Sequence, residues 1–493
     1  MTQDDQSLQG RIVRGATWSI AMRWAVRGIG LVSTIILARL LMPADFGIVA
    51  MGMIAVGLSD VLFDFGVNTY LIRKPNADDD DFHTAWSLSL LQGLASTALL
   101  LTSIPLAVDY FSEPRLGPVL SCLAFLPLLR GLENIGVVHF RKQLQLNRDF
   151  RFFVYKKLAG FCLTVSLAFT LRSYWALVAG ALGGTGFGVL LSYRMQGFRP
   201  RFRLTRVRSM LSFSSWLLLR NIGQYAQTRL DRFIVGERFG STEMGIYTIA
   251  SEVSEMPTSE LLAPMGRALL PGLSMIQHDR ERLRKAFRKA FGVVAAVVIP
   301  TGAGMALVSE PIVLVFLGEN WRPAVAPLEM LALTGMTAAV YYVPAVMLTA
   351  LGHVRFITLL VWLQLIAFVL LVAVFFPDSG LRDIAGFRLG LGAALAALIF
   401  GQAVFLNTVS IADIIAGLAR PFLAVLGMAA ILLTLGPHLH WPVLWKLIVE
   451  VTAGALCYTA TLFGSWHLAG RPDAAETLLA NFLSRQLTRR RHR

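Results

Sequence analysis

The chain has 493 residues, of which 55% are apolar and only 15% charged. Soluble domains carry about 25% charged residues. With a mean hydropathy of +0.62, the composition excludes an ordinary cytosolic enzyme and points to a polytopic helical membrane protein. Lys and Arg number 45 against 30 Asp and Glu, a net charge of +15, which suits anionic lipid or an anionic substrate.

The opening residues MTQDDQSLQG contain no basic n-region, and the first apolar run is too long for a cleaved signal, so it is expected to remain as a span. A window of about 19 residues predicts spans near 16–41, 44–66, 84–108, 116–138, 153–172, 174–194, 211–235, 244–270, 288–308, 325–350, 356–376, 384–408, 412–436 and 441–464, fourteen in all. Pro or an acid stands at the breaks, as at Pro43 and Asp45, Glu113 and Pro114, Pro200, Pro323, and Pro377 and Asp378, where helix ends favour them. Lys and Arg concentrate in alternate loops, including Arg141 and Lys142, Arg199 to Arg208, and Arg280 to Lys289. That bias sets both termini in the cytoplasm and requires an even number of spans.

The arginines of 199–208 read as positive-inside anchoring rather than a nucleic-acid surface. After the last span, Leu478, Leu479, Phe482, Leu483 and Leu487 form a stripe ahead of Arg489, Arg490 and Arg491. It is expected to lie as an amphipathic helix on the inner leaflet. Cys122, Cys162 and Cys457 fall inside apolar runs without a CxxC pair and read as small hydrophobes.

A gapless shift of 198 residues sets Trp18 on Trp216, Asp45 on Glu243, Gly47 on Gly245 and Ile48 on Ile246. Spans 1–6 and 7–12 then make two lobes of the same orientation, an arrangement used by alternating-access transporters. The predicted organisation is an N-lobe at 1–194, an Arg-rich cytoplasmic linker at 195–209, a C-lobe at 210–408, spans 13 and 14 at 409–466 and a basic tail at 467–493.

Gly15-Ala16-Thr17-Trp18, Leu37-Ala38-Arg39-Leu40-Leu41, Pro43-Ala44-Asp45-Phe46-Gly47 and Asp64-Phe65-Gly66 resemble the start of bacterial Wzx-type polysaccharide flippases. These belong to the multidrug/oligosaccharidyl-lipid/polysaccharide exporter superfamily. Leu230-Asp231-Arg232, Gly236, Gly240, Gly245-Ile246-Tyr247, Pro257 and Leu269-Leu270-Pro271-Gly272-Leu273-Ser274 keep the same family spacing, and the resemblance covers residues 10–290. It implies an all-α, MATE-like fold of two pseudo-symmetric six-helix lobes with two further C-terminal helices. It also implies a secondary transporter, not an enzyme, that moves an undecaprenyl-diphosphate-linked oligosaccharide across the bacterial inner membrane for O-antigen or exopolysaccharide synthesis. No cofactor and no nucleic acid are expected. Coupling to a proton or sodium gradient is expected, with membrane lipids, a polysaccharide polymerase and export machinery as partners. A multidrug cation antiporter of the same superfamily would favour acidic cavity residues. A membrane polymerase or glycosyltransferase would need large extramembrane catalytic loops, whereas the periplasmic loops predicted here are short.

Ionisable residues inside spans cost about 2.5–3.5 kcal/mol each on insertion scales and usually face a polar interior. Arg23 and Arg27 are four apart and share a helix face, and at about 1.5 Å per residue Arg27 lies near the midplane. Asp60 in span 2 comes to the depth of Arg23, so geometry allows the two to pair. Span 7 holds Arg220 and Arg229, and span 8 holds Glu252, Glu255 and Glu260. Depth matches Arg220 to Glu260 and Arg229 to Glu252. Glu255, beside Met256-Pro257, has no evident partner and is the candidate titrating group, since an isolated buried carboxylate shifts upward.

Two readings compete for these charges. They hold the helices together as mutual pairs, or Arg23, Arg27 and Arg220 form a cationic site for the diphosphate, which suits the bidentate guanidinium fork. Arg39, Arg238 and Lys156-Lys157 read as snorkelling at span ends. Gly183-Gly184-Thr185-Gly186-Phe187-Gly188 lacks a Walker Lys and reads as close helix packing through Gly184 and Gly188. Asp78 to Asp81 read as acids at a helix N-terminus, and no metal motif is present.

Overall fold

The computed structural model describes residues 3–74, 76–211, 215–439, 441–470 and 477; of these, 3–16, 211, 215–220, 260, 261, 263, 264, 267 and 268 are described by backbone alone. The expected amphipathic tail and the side chains of Arg220 and Glu260 lie outside the described residues. All regular structure among the described residues is helical. Internal contacts divide the chain into two compact units, Met1–Thr248 and Ile249–Arg493.

The first unit contains α1 (Gln3–Leu40), α2 (Pro43–Phe63), α3 (Val67–Arg73), α4 (Asp79–Phe111), α5 (Leu116–Leu123), α6 (Phe125–Leu132), α7 (Val138–Lys142), α8 (Leu146–Leu171), α9 (Trp175–Met195), α10 (Val207–Leu211) and the start of α11 (Ser215–Met275). Helical geometry fails within α11 at Gly240, where φ is 80°. Only glycine enters that left-handed region without strain. The division between the units falls further along α11, so the 195–209 segment belongs entirely to the first unit.

The predicted span 4 is not one helix but is divided at Ala124 and again at Glu133-Asn134. Broken backbone at membrane depth has to be satisfied by the protein itself. Thr97 Oγ1 donates to the Ala124 carbonyl at 2.7 Å, Ser192 Oγ accepts from the Asn134 amide at 2.9 Å, and Asn134 Oδ1 accepts from the Gly136 amide at 2.9 Å. Between α8 and α9 the glycines let backbones meet. A Cβ on Gly184 would sit 2.8 Å from the Gly160 Cα, and Thr164 Oγ1 bonds the Gly160 carbonyl at 2.7 Å.

Successive loops fall at opposite ends of this unit. At one end, Asp45 at the start of α2 accepts from the Met42 amide at 3.0 Å and from the Tyr174 amide before α9 at 3.1 Å. At the other, Lys74 pairs with Asp81 at 2.6 Å, and Lys142 Nζ donates to the Lys74 carbonyl at 2.8 Å. The Asp78–Asp81 cluster does begin a helix: Asp78 caps α4 by accepting from the Asp81 amide at 2.9 Å.

The second unit contains α12 (Arg280–Leu307), α13 (Ser309–Phe316), α14 (Val325–Ala350), α15 (Val354–Leu370), a π-helical turn at Leu371–Phe375, α16 (Leu381–Phe405), α17 (Ile411–Leu435) and α18 (Val443–Leu468). Phe287 and Phe291 stack at 5.2 Å in a buried core with Val343, Met347 and Ile399. The last two helices pack on α12. Buried Asp413 at the start of α17 takes Arg284 at 2.5 Å and Arg288 at 3.6 Å, and Tyr458 of α18 donates to the Ala296 carbonyl at 2.7 Å.

Among the described residues eleven helices are long and apolar enough to cross a membrane, twelve if the bent pair Leu116–Leu132 and Ile135–Lys142 is one crossing. Composition predicts fourteen spans. Predicted spans 7 and 8 fall on α11, no part of which is among those helices; its first part carries Arg229, Asp231, Arg232, Glu237 and Arg238 and its second Glu243, Glu252 and Glu255.

Candidate functional site

Several ionisable residues of the first unit lie within its long apolar helices. Helices α1 and α8 run side by side in the same direction: Trp18 meets Phe150 with ring centroids 5.0 Å apart, and Leu37 and Leu41 share a buried cluster with Ala168. Between these contacts, a Cβ on Gly30 would lie 3.9 Å from Lys157 Cε. Arg23 and Arg27 stand seven and three residues before Gly30 and so on the same helix face. Both are half-buried, whereas Lys157 is exposed.

The sequence reads Lys156 and Lys157 as snorkelling at span ends. Helix α8 begins at Leu146, so Lys157 lies about 16 Å along it. Lys156 pairs with Glu133 at 2.5 Å. Its stem crosses α9, where a Cβ on Gly188 would come within 2.6 Å of Lys156 Cδ.

Asp60 pairs with Arg130 of α6, not with Arg23. Arg130 of α6 reaches the carboxylate that depth matching assigns to Arg23. Both remain partly open, with side-chain exposures of 42% for Arg130 and 33% for Asp60. Two ion pairs thus stand in this unit, Arg130 with Asp60 and Lys156 with Glu133, while Arg23, Arg27 and Lys157 lie along α1 and α8. Sequence reasoning missed Arg130 and Glu133. The available signal was their placement within predicted span 4.

At the opposite end from Lys74 and Lys142, α2 meets the part of α11 that follows Gly240. A Cβ on Gly47 would collide with the Ser241 carbonyl, and one on Gly245 with the Pro43 carbonyl. Pro43 and Ser241, like Gly47 and Gly245, are 198 residues apart, so the internal repeat meets itself in a reciprocal backbone contact. Beside it, Arg115 holds Glu113 by two bonds of 2.8 Å, and Ser241 Oγ donates to the same carboxylate at 2.8 Å. The Arg115 guanidinium holds the Glu113 carboxyl below its ordinary value, against a smaller opposing effect of burial. Tyr225 donates to the Ile54 carbonyl at 2.6 Å, adding a second tie between α11 and α2.

The remaining candidates divide between the units. Arg229 is half-buried in the first. Glu252 and Glu255 are exposed in the second, and neither is without a partner. Glu255 is therefore exposed and partnered rather than buried and alone. Asp231 and Arg232 of α11 are each only 2% exposed.

These inward-facing charges sit in a helical scaffold that is shared with known proteins. Residues 36–326, more than half of the chain, match the family described as polysaccharide biosynthesis protein. The chain belongs to that family. It is 28% identical over 344 residues to the lipopolysaccharide biosynthesis protein WzxC of Escherichia coli K12, covering 68% of this chain and 69% of that one. It is 23% identical over 326 residues to the succinoglycan biosynthesis transport protein ExoT of Rhizobium meliloti, covering 66% of each. The fold is that of the lipid II flippase MurJ in an inward closed conformation, with a TM-score of 0.73 at 13% identity, covering 92% of this chain and all of MurJ. As a member of the polysaccharide biosynthesis protein family, the chain is a multi-pass transporter of the bacterial inner membrane rather than an enzyme.

Proposed function

We propose that the chain is a flippase that carries an undecaprenyl-diphosphate-linked oligosaccharide across the inner membrane by alternating access, for O-antigen or exopolysaccharide assembly. The observation that carries this reading is the basic seam between α1 and α8, where Arg23 and Arg27 share the helix face of Gly30 and Gly30 lies against Lys157. A diphosphate presents several acceptor oxygens that guanidinium forks and an ammonium can share. A site for a small cation would need the opposite balance of charge.

The fourteen spans belong to this proposal, with lobes at 1–194 and 210–408, the linker at 195–209, spans 13 and 14 at 409–466 and both termini cytoplasmic. The end that holds Lys142, Arg203 and Arg206 is the basic one, which supports its cytoplasmic placement. The reciprocal contact of Gly47 and Gly245 then closes the periplasmic end and separates when the carrier faces outward. Arg220 joins the diphosphate site from α11, while Arg229, Glu252, Glu255 and Glu260 couple the cycle to a proton or sodium gradient. The released repeat units pass to a polysaccharide polymerase and its export machinery.

In cells that depend on this protein for surface polysaccharide, Arg27→Glu and Lys157→Glu should each abolish polymer while the protein remains at wild-type level in the membrane. Retained polymer in both variants would remove the α1–α8 seam from the site.

A further inference from the structure

The segment that follows α9 runs as an extended strap over the first turns of α4. Asn134 Nδ2 bonds the Phe198 carbonyl at 2.7 Å. The Arg201 amide donates to His83 Nδ1 at 2.9 Å and the Arg203 amide to Ser87 Oγ at 2.8 Å. Arg203 then pairs with Asp80 at 2.6 Å and Arg206 with Asp78 at 3.5 Å. Alternate amides are thereby fixed to the protein, whereas no hydrogen bond engages the amides of Phe202 and Leu204 among the described residues.

In an extended chain successive side chains point to opposite sides: Phe202 and Leu204 share one side and Arg201 shares the other with Arg203, all four exposed. Phe202 is 57% exposed and Leu204 43%. Around them Arg199, Arg201 and Arg208 are exposed, and no acidic side chain pairs with these three among the described residues. The strap crosses α4 beside His83, Thr84 and Ser87, the turn that also carries Trp86. Aromatic residues concentrate where a span leaves the hydrocarbon. A long helix of 33 residues spans about 50 Å against a hydrocarbon core of about 30 Å, so its first turns stand in the headgroup layer.

We propose that the strap 198–208 is a membrane-surface anchor. Phe202 and Leu204 dip into the leaflet, while Arg199, Arg201 and Arg208 bind the phosphates of anionic phospholipids. Arg203 and Arg206 act differently, because their pairs with Asp80 and Asp78 hold the strap in register on α4. A basic residue at an anionic surface contributes about 1 kcal/mol, so loss of three lowers the affinity of the segment for that surface roughly a hundredfold.

The full protein in nanodiscs gives the test, using hydrogen–deuterium exchange of the peptide that covers 198–205. Discs of phosphatidylcholine alone are compared with discs containing one part phosphatidylglycerol to four. Exchange should slow on the order of tenfold in the anionic discs, and 0.5 M salt should reverse the slowing. R199E/R201E/R208E should exchange at one rate in both discs, with an unchanged melting temperature and unchanged exchange at His83 and Ser87. Equal exchange of the wild type in both lipids would overturn the anchor, as would protection that survives in the triple variant. Slowing that is the same in both discs and needs the arginines would assign the strap to a protein or free-anion partner instead.

Discussion

Glu113 joins two segments through one carboxylate: Arg115 of the same loop grips both oxygens, and Ser241 adds a third bond from α11. Its folded pKa lies below the ordinary 4.5, chiefly through the Arg115 bond. A depressed carboxylate contributes stability that is complete above the unfolded value and disappears as pH falls through the folded one. Purified protein should therefore lose melting temperature as pH drops from 6 through 4.5 and below. Glu113→Gln should start lower and show a shallower decline over that window; identical pH profiles would place the acid sensitivity elsewhere. Other single residues teach the same dependence on context. Lys157 stands seven residues further along α8 than the predicted start of span 5 implies. Arg130 takes Asp60, a partner that depth matching within spans 1 and 2 does not offer.

At the scale of elements, periodicity and punctuation locate most helices, because apolar runs of span length and Pro or acidic breaks follow directly from the bilayer and from capping. The glycines of α9 pack on α8 as their spacing implies. Hydropathy is weakest at α5–α7, where an apolar run hides two breaks that are stabilised by distant Thr97 and Ser192. It is also weak in α11, whose charges sit among apolar residues. The 198-residue repeat is visible in the sequence, yet its consequence is not: Gly47 and Gly245 abut one another's helices. A leucine at either position forces these backbones apart, and overpacking typically costs about 1–3 kcal/mol. Gly47→Leu and Gly245→Leu should each lower the melting temperature and reduce polymer export, with the double variant costing less than the sum because both enlarge one gap. Additive losses in a double-mutant cycle would contradict a shared contact.

For the whole molecule, composition establishes a multi-pass helical protein, and family membership places it among polysaccharide biosynthesis proteins. Net charge is less informative than its location. The +15 divides between an end rich in loop arginines and the few cations within predicted spans, and the proposal gives a substrate role only to the latter. In that proposal, those cations meet the diphosphate from one side and release it to the other. The direct test uses purified protein in liposomes carrying an undecaprenyl-diphosphate oligosaccharide, with a membrane-impermeant glycosidase added outside. Wild-type protein should expose the inner pool to cleavage over time, and Arg27→Glu should leave it protected. Protection equal to that of protein-free liposomes in the wild type, or exposure undiminished by Arg27→Glu, would contradict a flippase that works through this cationic seam.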